Sequence, residues 1–400
     1  MSIDAALPLA GLVVLIEAWH FHRLQRAAIR PTARFRKLDV YPSLTVIRPI
    51  KGLDAGAEEN LRAALDNGYP GPIESLFVLD DERDPAVPLV LEAIAAHRGR
   101  GAARVIYCGE PPVGRTGKLH AMIAGMRCAK GELVAFADSD IRPGRDALAM
   151  LVETLRSSER AGCAFAPVVV AGQHRTAGDA AYALTLNGIY GAAVATAVLL
   201  ARGELPFIMG QLMVFEREAL RAIGGLRRVE GQLVDDMYIG ARLREAGYRN
   251  VVSPGAVPVI QEGLSPAEFV AIYRRWIAFS LSGLDTAFTL ASFRHNVLFW
   301  IGVLIGAAGI AIGSVPATGL AALIVLSTSF SVYEGHIELG GAPLGLRYAW
   351  VPLALLVLTP LLYPTIYARR VVPWRGRSYT IDHRGRLAEA EPEPVEAAMT

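Results

Sequence analysis

The chain has 400 residues, with 40 Lys and Arg against 38 Asp and Glu, a formal net charge of +2. Charge so balanced gives no footprint for nucleic acid. Hydrophobic residues make up 52% of the chain and its mean hydropathy is +0.34, which argues against a protein lying wholly in water and leaves room for one catalytic domain plus membrane segments.

Residues 1–22 read as an N-terminal transmembrane anchor: Ala5 to Trp19 is apolar apart from Glu17, basic residues come after the segment, and no small-residue cleavage site follows. Residues 23–40 form a basic juxtamembrane linker. His22, Arg23, Arg26, Arg30, Arg34, Arg36 and Lys37 place that flank in the cytoplasm by the positive-inside bias, and the domain that follows lies on the same side. Cys108, Cys128 and Cys163 lack metal-ligand spacing and are expected as free thiols in a reducing compartment. The histidines show no ligand spacing either, so no zinc site is expected.

Residues 41–276 alternate short β-rich runs with helical stretches, the pattern of an α/β domain. Strands are expected at Leu44 to Ile47, Ser75 to Leu79, Ala103 to Tyr107, Leu133 to Ala137, Cys163 to Val170 and Ile208 to Phe215. Helices are expected at Ala57 to Asp66, Val87 to Ala96, Leu119 to Ala129, Asp146 to Ser157, Arg217 to Ile223 and Asp236 to Ala246. Ala180 to Leu200 is a further apolar stretch, interrupted by Asn187 and Gly188. A true span there would separate Asp138 from Asp236 across the bilayer, so a half-buried interfacial helix is expected, an ordinary core helix being the alternative.

After an interfacial segment at 277–295, residues 296–368 carry the C-terminal transmembrane candidates, Asn296 to Gly313, Ala317 to Tyr333 and Tyr348 to Tyr367. Trp300, Trp350, Tyr363, Tyr367 and Trp374 sit near their ends as interfacial aromatics. Three spans would leave the tail outside, yet Arg369, Arg370, Arg375, Arg377, Arg384 and Arg386 favour inside, so one candidate is expected to be re-entrant or interfacial. Residues 369–400 read as a basic and then disordered tail, Glu389 to Thr400 having too few bulky hydrophobes to bury a core.

Three acidic stations follow apolar runs: Asp80-Asp81, Asp138-Ser139-Asp140 and Asp235-Asp236. Open α/β sheets bind ligands outside the carboxyl ends of their strands, which points Asp81 and Asp138 at one crevice. Asp138 and Asp140 offer oxygen ligands for Mg2+ or Mn2+ on a diphosphate. Each station also has a plainer account: turn chemistry for the first two and helix capping for the third.

The order of motifs from Leu44 to Trp276 resembles the lipid glycosyltransferases of the ceramide glucosyltransferase type, classed as family 21 and close to the large family 2. Arg48-Pro49-Ile50-Lys51-Gly52-Leu53-Asp54 is similar to the family's Lys-Pro-Leu-Lys-Gly-Val-Asp segment. Asp81 to Ala86 resembles its first-aspartate motif, and Gly114-Arg115-Thr116-Gly117-Lys118 stands where the family has Gly-x-Asn-Pro-Lys. Asp138-Ser139-Asp140-Ile141 resembles the second-aspartate motif, which reads the same in hopanoid-associated relatives. Gly210 to Leu226 matches the next segment, Asp236 falls on the third aspartate, and Arg275-Trp276 on the end of the (Gln/Arg)-x-x-Arg-Trp box. The first box position is Ile272, a departure, and Arg274 is the nearest substitute.

The resemblance implies a GT-A-type, Rossmann-like nucleotide-sugar-binding domain plus transmembrane helices, and an inverting transfer of a hexose from a UDP-sugar, UDP-glucose first, to a lipid hydroxyl such as ceramide. It gives Asp236 the role of general base, ionised at its ordinary pKa. Asp81, Asp138, Lys118, Arg274 and Arg275 would bind the donor, Trp276 and Gly210 the acceptor, and Asp138 with Asp140 the cation. An interfacial anchor is the alternative for Arg274, Arg275 and Trp276. The protein is expected in the cell (inner) membrane, multi-pass, with a cytoplasmic catalytic domain. Alternatives are a diacylglycerol or hopanoid acceptor, with UDP-GlcNAc as possible donor, a processive polysaccharide synthase, or a non-catalytic membrane protein. The near absence of ionisable residues in the spans, Glu334 and Glu338 lying at a boundary, weighs against a polysaccharide conduit.

Overall fold

The computed structural model describes residues 3–29, 37–201, 203–283, 286–368, 371–382 and 386–388. Helix α1 (Ile3–Ile29) precedes an alternation of β1 (Leu44–Pro49), α2 (Ala57–Leu65), β2 (Ile73–Leu79), α3 (Val87–Ala96), β3 (Ala102–Tyr107), α4 (Gly117–Cys128), β4 (Leu133–Ala137) and α5 (Ala147–Arg156). Then come β5 (Ala161–Phe165), β6 (Val168–Val169) and a helix in three parts, α6 (Ala177–Ala183), a π-helical stretch Leu184–Gly191, and α7 (Ala192–Leu200). The α/β part ends with β7 (Leu212–Glu216), α8 (Arg217–Ala222), α9 (Asp235–Glu245), β8 (Arg249–Val252) and β9 (Val257–Pro258). Four long helices follow, α10 (Pro266–Gly283), α11 (Thr286–Ala311), α12 (Val315–Glu338) and α13 (Val351–Ala368), and then a hairpin of β10 (Val371–Trp374) and β11 (Arg377–Thr380).

Seven strands form one sheet in the order β3-β2-β1-β4-β7-β5-β8. β1 pairs in parallel with both β2 and β4, and β7 runs antiparallel between β4 and β5. The chain winds outward from β1 to β3 and then returns to β4 on the other side of β1, so the carboxyl ends of β1 and β4 bound a crevice. Both faces are covered, which is why these strands read as apolar runs without alternation. Leu119 and Met122 of α4 lie with Ile47, Leu76 and Phe136 in the core on one face. Leu148, Leu151 and Val152 of α5 lie with Leu44, Val46, Leu133 and Ala135 on the other, the period-two split that strand geometry dictates.

The expected strand Cys163 to Val170 is broken into β5 and β6 around Pro167, which has no N–H to give to a ladder. The expected strand from Ile208 starts only at Leu212, because Met209 to Gln211 turn at the crevice. β8 and β9 are additional to the strands expected from sequence.

Among the described residues, five helices are long and apolar enough to cross a membrane: Ile3–Ile29, Ala177–Leu200, Ser292–Ala311, Val315–Glu338 and Leu346–Ile366. Only 11% of the first is buried in the protein against 61% of Ala177–Leu200, which makes the latter an integral part of the α/β fold. Asn187 in its π-helical stretch exchanges hydrogen bonds with Val170, 2.8 Å to N and 2.9 Å to O. A Cβ on Gly188 would stand 2.1 Å from Val332 O, so glycine lets α12 pack at close range. α1 is pinned to α12 by Arg26, 2.9 Å from Glu334 and 3.1 Å from Glu338, which gives the two boundary acids partners.

The chain meets the α/β part just before α13, which then packs along α10. Before it, Tyr348 donates to Arg175 O at 2.6 Å; at its middle Thr359 meets Tyr273 at 2.7 Å; near its end Thr365 O accepts from Arg274 at 3.1 Å. The basic part of the tail expected from sequence holds a β-hairpin, in which Val371 to Trp374 and Arg377 to Thr380 pair across a tight turn. Arg30, Arg34, Arg36, Arg369, Arg370, Arg384 and Glu389 to Thr400 lie outside the described residues.

Candidate active site

A cavity of about 420 Å³ opens at the carboxyl ends of β1, β2 and β4. Asp54, Asp80, Asp138, Asp140, Asp235 and Asp236 line it together with Lys51, Lys118, Arg275, Arg375 and Arg377. Its other part is apolar, with Tyr182, Leu186, Tyr190 and Val194 from the α6–α7 helix, and Ile272, Trp276 and Phe279 from α10.

Each acidic station is placed by backbone. Asp138 directly follows β4, and its N–H donates to Gln211 O at 2.8 Å. The buried Arg48 of β1 donates to Asp138 O at 2.5 Å, fixing the turn from beneath. Ser139 donates to Asp54 at 2.5 Å. Asp236 lies in the first turn of α9, where its N–H donates to Asp235 Oδ1 at 3.0 Å and its own Oδ1 accepts from Met237 N at 2.8 Å. A Cβ on Gly210 would come within 2.5 Å of Asp236 Oδ2, so glycine is what lets this carboxylate settle against the turn. Gly210 therefore backs Asp236 and is not among the residues lining the cavity.

Lys118, near the start of α4, carries an ammonium 2.6 Å from Asp138 Oδ1 and 3.1 Å from Gly210 O. Burial alone would depress its pKa, but the carboxylates of Asp138, Asp235 and Asp236 outweigh burial and hold it above its ordinary value. The carboxylates move upward. Burial, with Asp138 and Asp54 nearby, raises Asp140 to about 6. Burial and the Asp235 carboxylate raise Asp236 to about 7. The expectation of an ordinary, fully ionised Asp236 is thus corrected: it titrates near neutrality.

Asp140 Oδ1 is buried and has no hydrogen-bond partner. Among the described residues no group of three or more His, Cys, Asp or Glu is arranged to hold a metal unaided. Two carboxylates, one with an unpartnered buried oxygen, fit a hard divalent cation that takes its remaining ligands from a diphosphate and water.

Besides Gly210, two residues singled out in the sequence, Asp81 and Arg274, lie outside the cavity lining. Asp81 is exposed, accepts from Arg83 N at 2.7 Å, and lines a separate shallow pocket with Gly52, Asp84 and Pro85. The carboxylate of the first station that enters the cavity is Asp80, 5% exposed, with Lys51 2.7 Å and Arg377 2.8 Å from its Oδ2. Asp80 O still accepts from Gly109 N at 2.9 Å, continuing the ladder, so the next side chain turns away. On α10, Ile272, Arg275, Trp276 and Phe279 fall at i, i+3, i+4 and i+7, one helical stripe, and all four line the cavity. Arg274 is off that stripe and bonds α13 instead. Trp276 lies 5.0 Å from the Tyr182 ring and 6.0 Å from the Tyr190 ring.

Sequence reasoning passed over Asp80 and the β10–β11 hairpin, whose Trp374, Arg375, Arg377 and Tyr379 line the cavity. The available signal was Trp374-Arg375-Gly376-Arg377, a turn-forming Gly among cations directly after an apolar helix.

The model of glycosyl transferase family 21 matches residues 6–387. Ceramide glucosyltransferase 3 of Caenorhabditis elegans is 25% identical over 288 residues, 71% of this chain and 61% of that protein. Ceramide glucosyltransferase 1 of the same organism is 26% identical over 241 residues, 59% of this chain and 49% of that protein. The match therefore spans between about half and three-fifths of these relatives' length. A mannosyltransferase from Pyrobaculum calidifontis, solved in complex with GDP-Man and Mn2+, has a TM-score of 0.50 at 20% identity, covering 90% of this chain and 98% of that one. That likeness concerns the fold: the α/β part is a GT-A-type domain, carried here with long apolar helices. The chain belongs to glycosyl transferase family 21.

Proposed function

We propose that the protein is a membrane-bound inverting glycosyltransferase that moves a hexose from a UDP-sugar, UDP-glucose first, to the hydroxyl of a membrane lipid such as ceramide. The observation that carries this reading is one cavity with two halves. The carboxylates of Asp138, Asp140 and Asp236 meet Lys118 on the polar side, and the α6–α7 helix with Trp276 forms an apolar side suited to a lipid. A cytoplasmic catalytic domain fits the basic C-terminal end of α1, where Arg23 and Arg26 lie.

In this reading Asp236 takes the proton of the acceptor hydroxyl as its oxygen bonds to the anomeric carbon, on the face opposite the departing diphosphate. A carboxylate raised above its ordinary pKa by burial and by Asp235 is a stronger base and holds the received proton better. Lys118 and Arg275 supply fixed positive charge to the diphosphate as the sugar bond breaks. Mg2+ or Mn2+ held by Asp138 and Asp140 adds Lewis-acid charge to the leaving group when bound. Trp276, between the Tyr182 and Tyr190 rings, walls the acceptor side and keeps water from competing with the lipid hydroxyl.

The test is UDP release by detergent-solubilised protein with several UDP-sugars and a mixed lipid extract, beside Asp236→Asn. Lipid-dependent release lost in the variant is expected. Release that is independent of lipid, or undiminished in the variant, would overturn the reading.

A further inference from the structure

We propose that Arg375 is a diphosphate-binding residue, delivered to the donor site by the β10–β11 hairpin; this rests on the nucleotide-sugar reading above. Trp374 and Arg377 pair across the turn, and between them Arg375 has φ 51° and Gly376 φ 74°. Two consecutive left-handed residues make the tight hairpin turn that ordinarily calls for Asn-Gly or Asp-Gly. Arginine in the first position bears a steric cost that asparagine largely avoids, so turn formation does not account for it.

Its side chain does. Arg375 Nη1 bonds Asp54, and the other Asp54 oxygen accepts from Ser139, which sets the guanidinium against the Asp138-Ser139-Asp140 segment where a cation and diphosphate fit. The planar fork has five donors, and among the described residues its hydrogen bonds, to Asp54 and Lys51 O, both use Nη1, leaving Nε and Nη2 for a ligand. The hairpin is held in place at other points. Arg377 bonds Asp80 at 2.8 Å, and Tyr379 accepts from Gly117 N at 3.2 Å. Leu387 N reaches Gly231 O at 2.9 Å, close to the start of α9. Arg377 is shared between Asp80 and Glu110 and serves as the anchor, whereas Arg375 is the cation presented to the ligand.

The experiment measures UDP and uridine binding by calorimetry on full-length solubilised protein with Mg2+ or Mn2+, comparing wild type, R375N and R375K. Asparagine suits the left-handed backbone and keeps the turn. About a tenfold or greater loss of UDP affinity in R375N is expected, with uridine affinity unchanged and part of the UDP loss recovered in R375K. R375N binding UDP as wild type does, or losing UDP and uridine equally, would overturn the proposal while leaving the proposed function standing. Wild-type protein that binds no UDP would remove the UDP-sugar reading, and this proposal with it.

Discussion

Lys118 Nζ stands 2.6 Å from Asp138 Oδ1, so the ammonium at the start of α4 is locked to the carboxylate that ends β4. Replacing it leaves Asp138, Asp235 and Asp236 without their shared counter-charge. Lys118→Gln should keep its fold and lose about 100-fold in kcat/KM for the sugar donor, the scale of a buried charge-assisted hydrogen bond of about 1.5–3 kcal/mol. Because Lys118 lowers the Asp236 pKa, the acidic limb of the pH–rate profile should also move to higher pH. Donor steady-state kinetics across pH check both.

Asp236 is raised to about 7 by burial and by Asp235. A base works only when deprotonated, so kcat should climb as pH rises through about 7 and level off above it. Asp236→Asn should cost about 10²–10⁴-fold in kcat and abolish this limb in whatever activity remains. A flat profile between pH 5.5 and pH 8.5 in the wild type would exclude Asp236 as the titrating base.

The adjacent pair Asp80-Asp81 offers an internal control. Asp80→Asn should raise the donor KM at least about tenfold, since it removes the buried carboxylate that orients two cavity-lining cations, Lys51 and Arg377. Asp81→Asn should leave donor KM within about twofold, as expected of an exposed side chain that bonds only its own turn. Kinetics on the two variants side by side decide which acid serves the donor.

Gly210→Ala puts a methyl 2.5 Å from Asp236 Oδ2. The carboxylate must move, and a displaced base lowers kcat by about 100-fold while donor KM, set by other residues, stays near wild type. A thermal melt alongside the kinetics separates displacement from unfolding.

The chain meets the α/β part just before α13, where Tyr348 bonds Arg175, and α13 is tied to α10 near its last turn through Arg274. We propose that a helix so fastened stays on the catalytic side, with α11 and α12 as the C-terminal pair that crosses. In a cysteine-free background, Ser378→Cys should react with an impermeant maleimide only after the membrane is opened from the catalytic side. Gly313→Cys, between α11 and α12, should react from the opposite side. Labelling of both from the same side would refute this topology.

Much of this was legible in the residues. Strands buried on both faces announce themselves as apolar runs, and Asp138 was placed by the plain rule that ligands gather where parallel strands end. The Arg-Trp box was legible as a pattern, but which arginine faces the site depends on helical phase: Arg275 shares a stripe with Ile272 and Trp276, and Arg274 does not. The choice between Asp80 and Asp81 hung on whether the ladder runs one residue past β2, which no local signal reports. The hairpin escaped because its partners, Asp54, Asp80 and Gly117, lie hundreds of positions earlier in the chain. A run of arginines after an apolar helix carries a topological meaning of its own, and that meaning hid the structural one.

The hairpin's place in the chain also sets an order of events during synthesis. Every carboxylate of the cavity leaves the ribosome before α11, α12 and α13, and the wall formed by Trp374, Arg375, Arg377 and Tyr379 leaves after them. At about 5–20 residues per second, the aspartates wait for many seconds in a half-built basin. Assembly of the site is thereby tied to arrival of the last helices at the bilayer, and a nascent chain stalled before them carries a complete set of acids under an open roof.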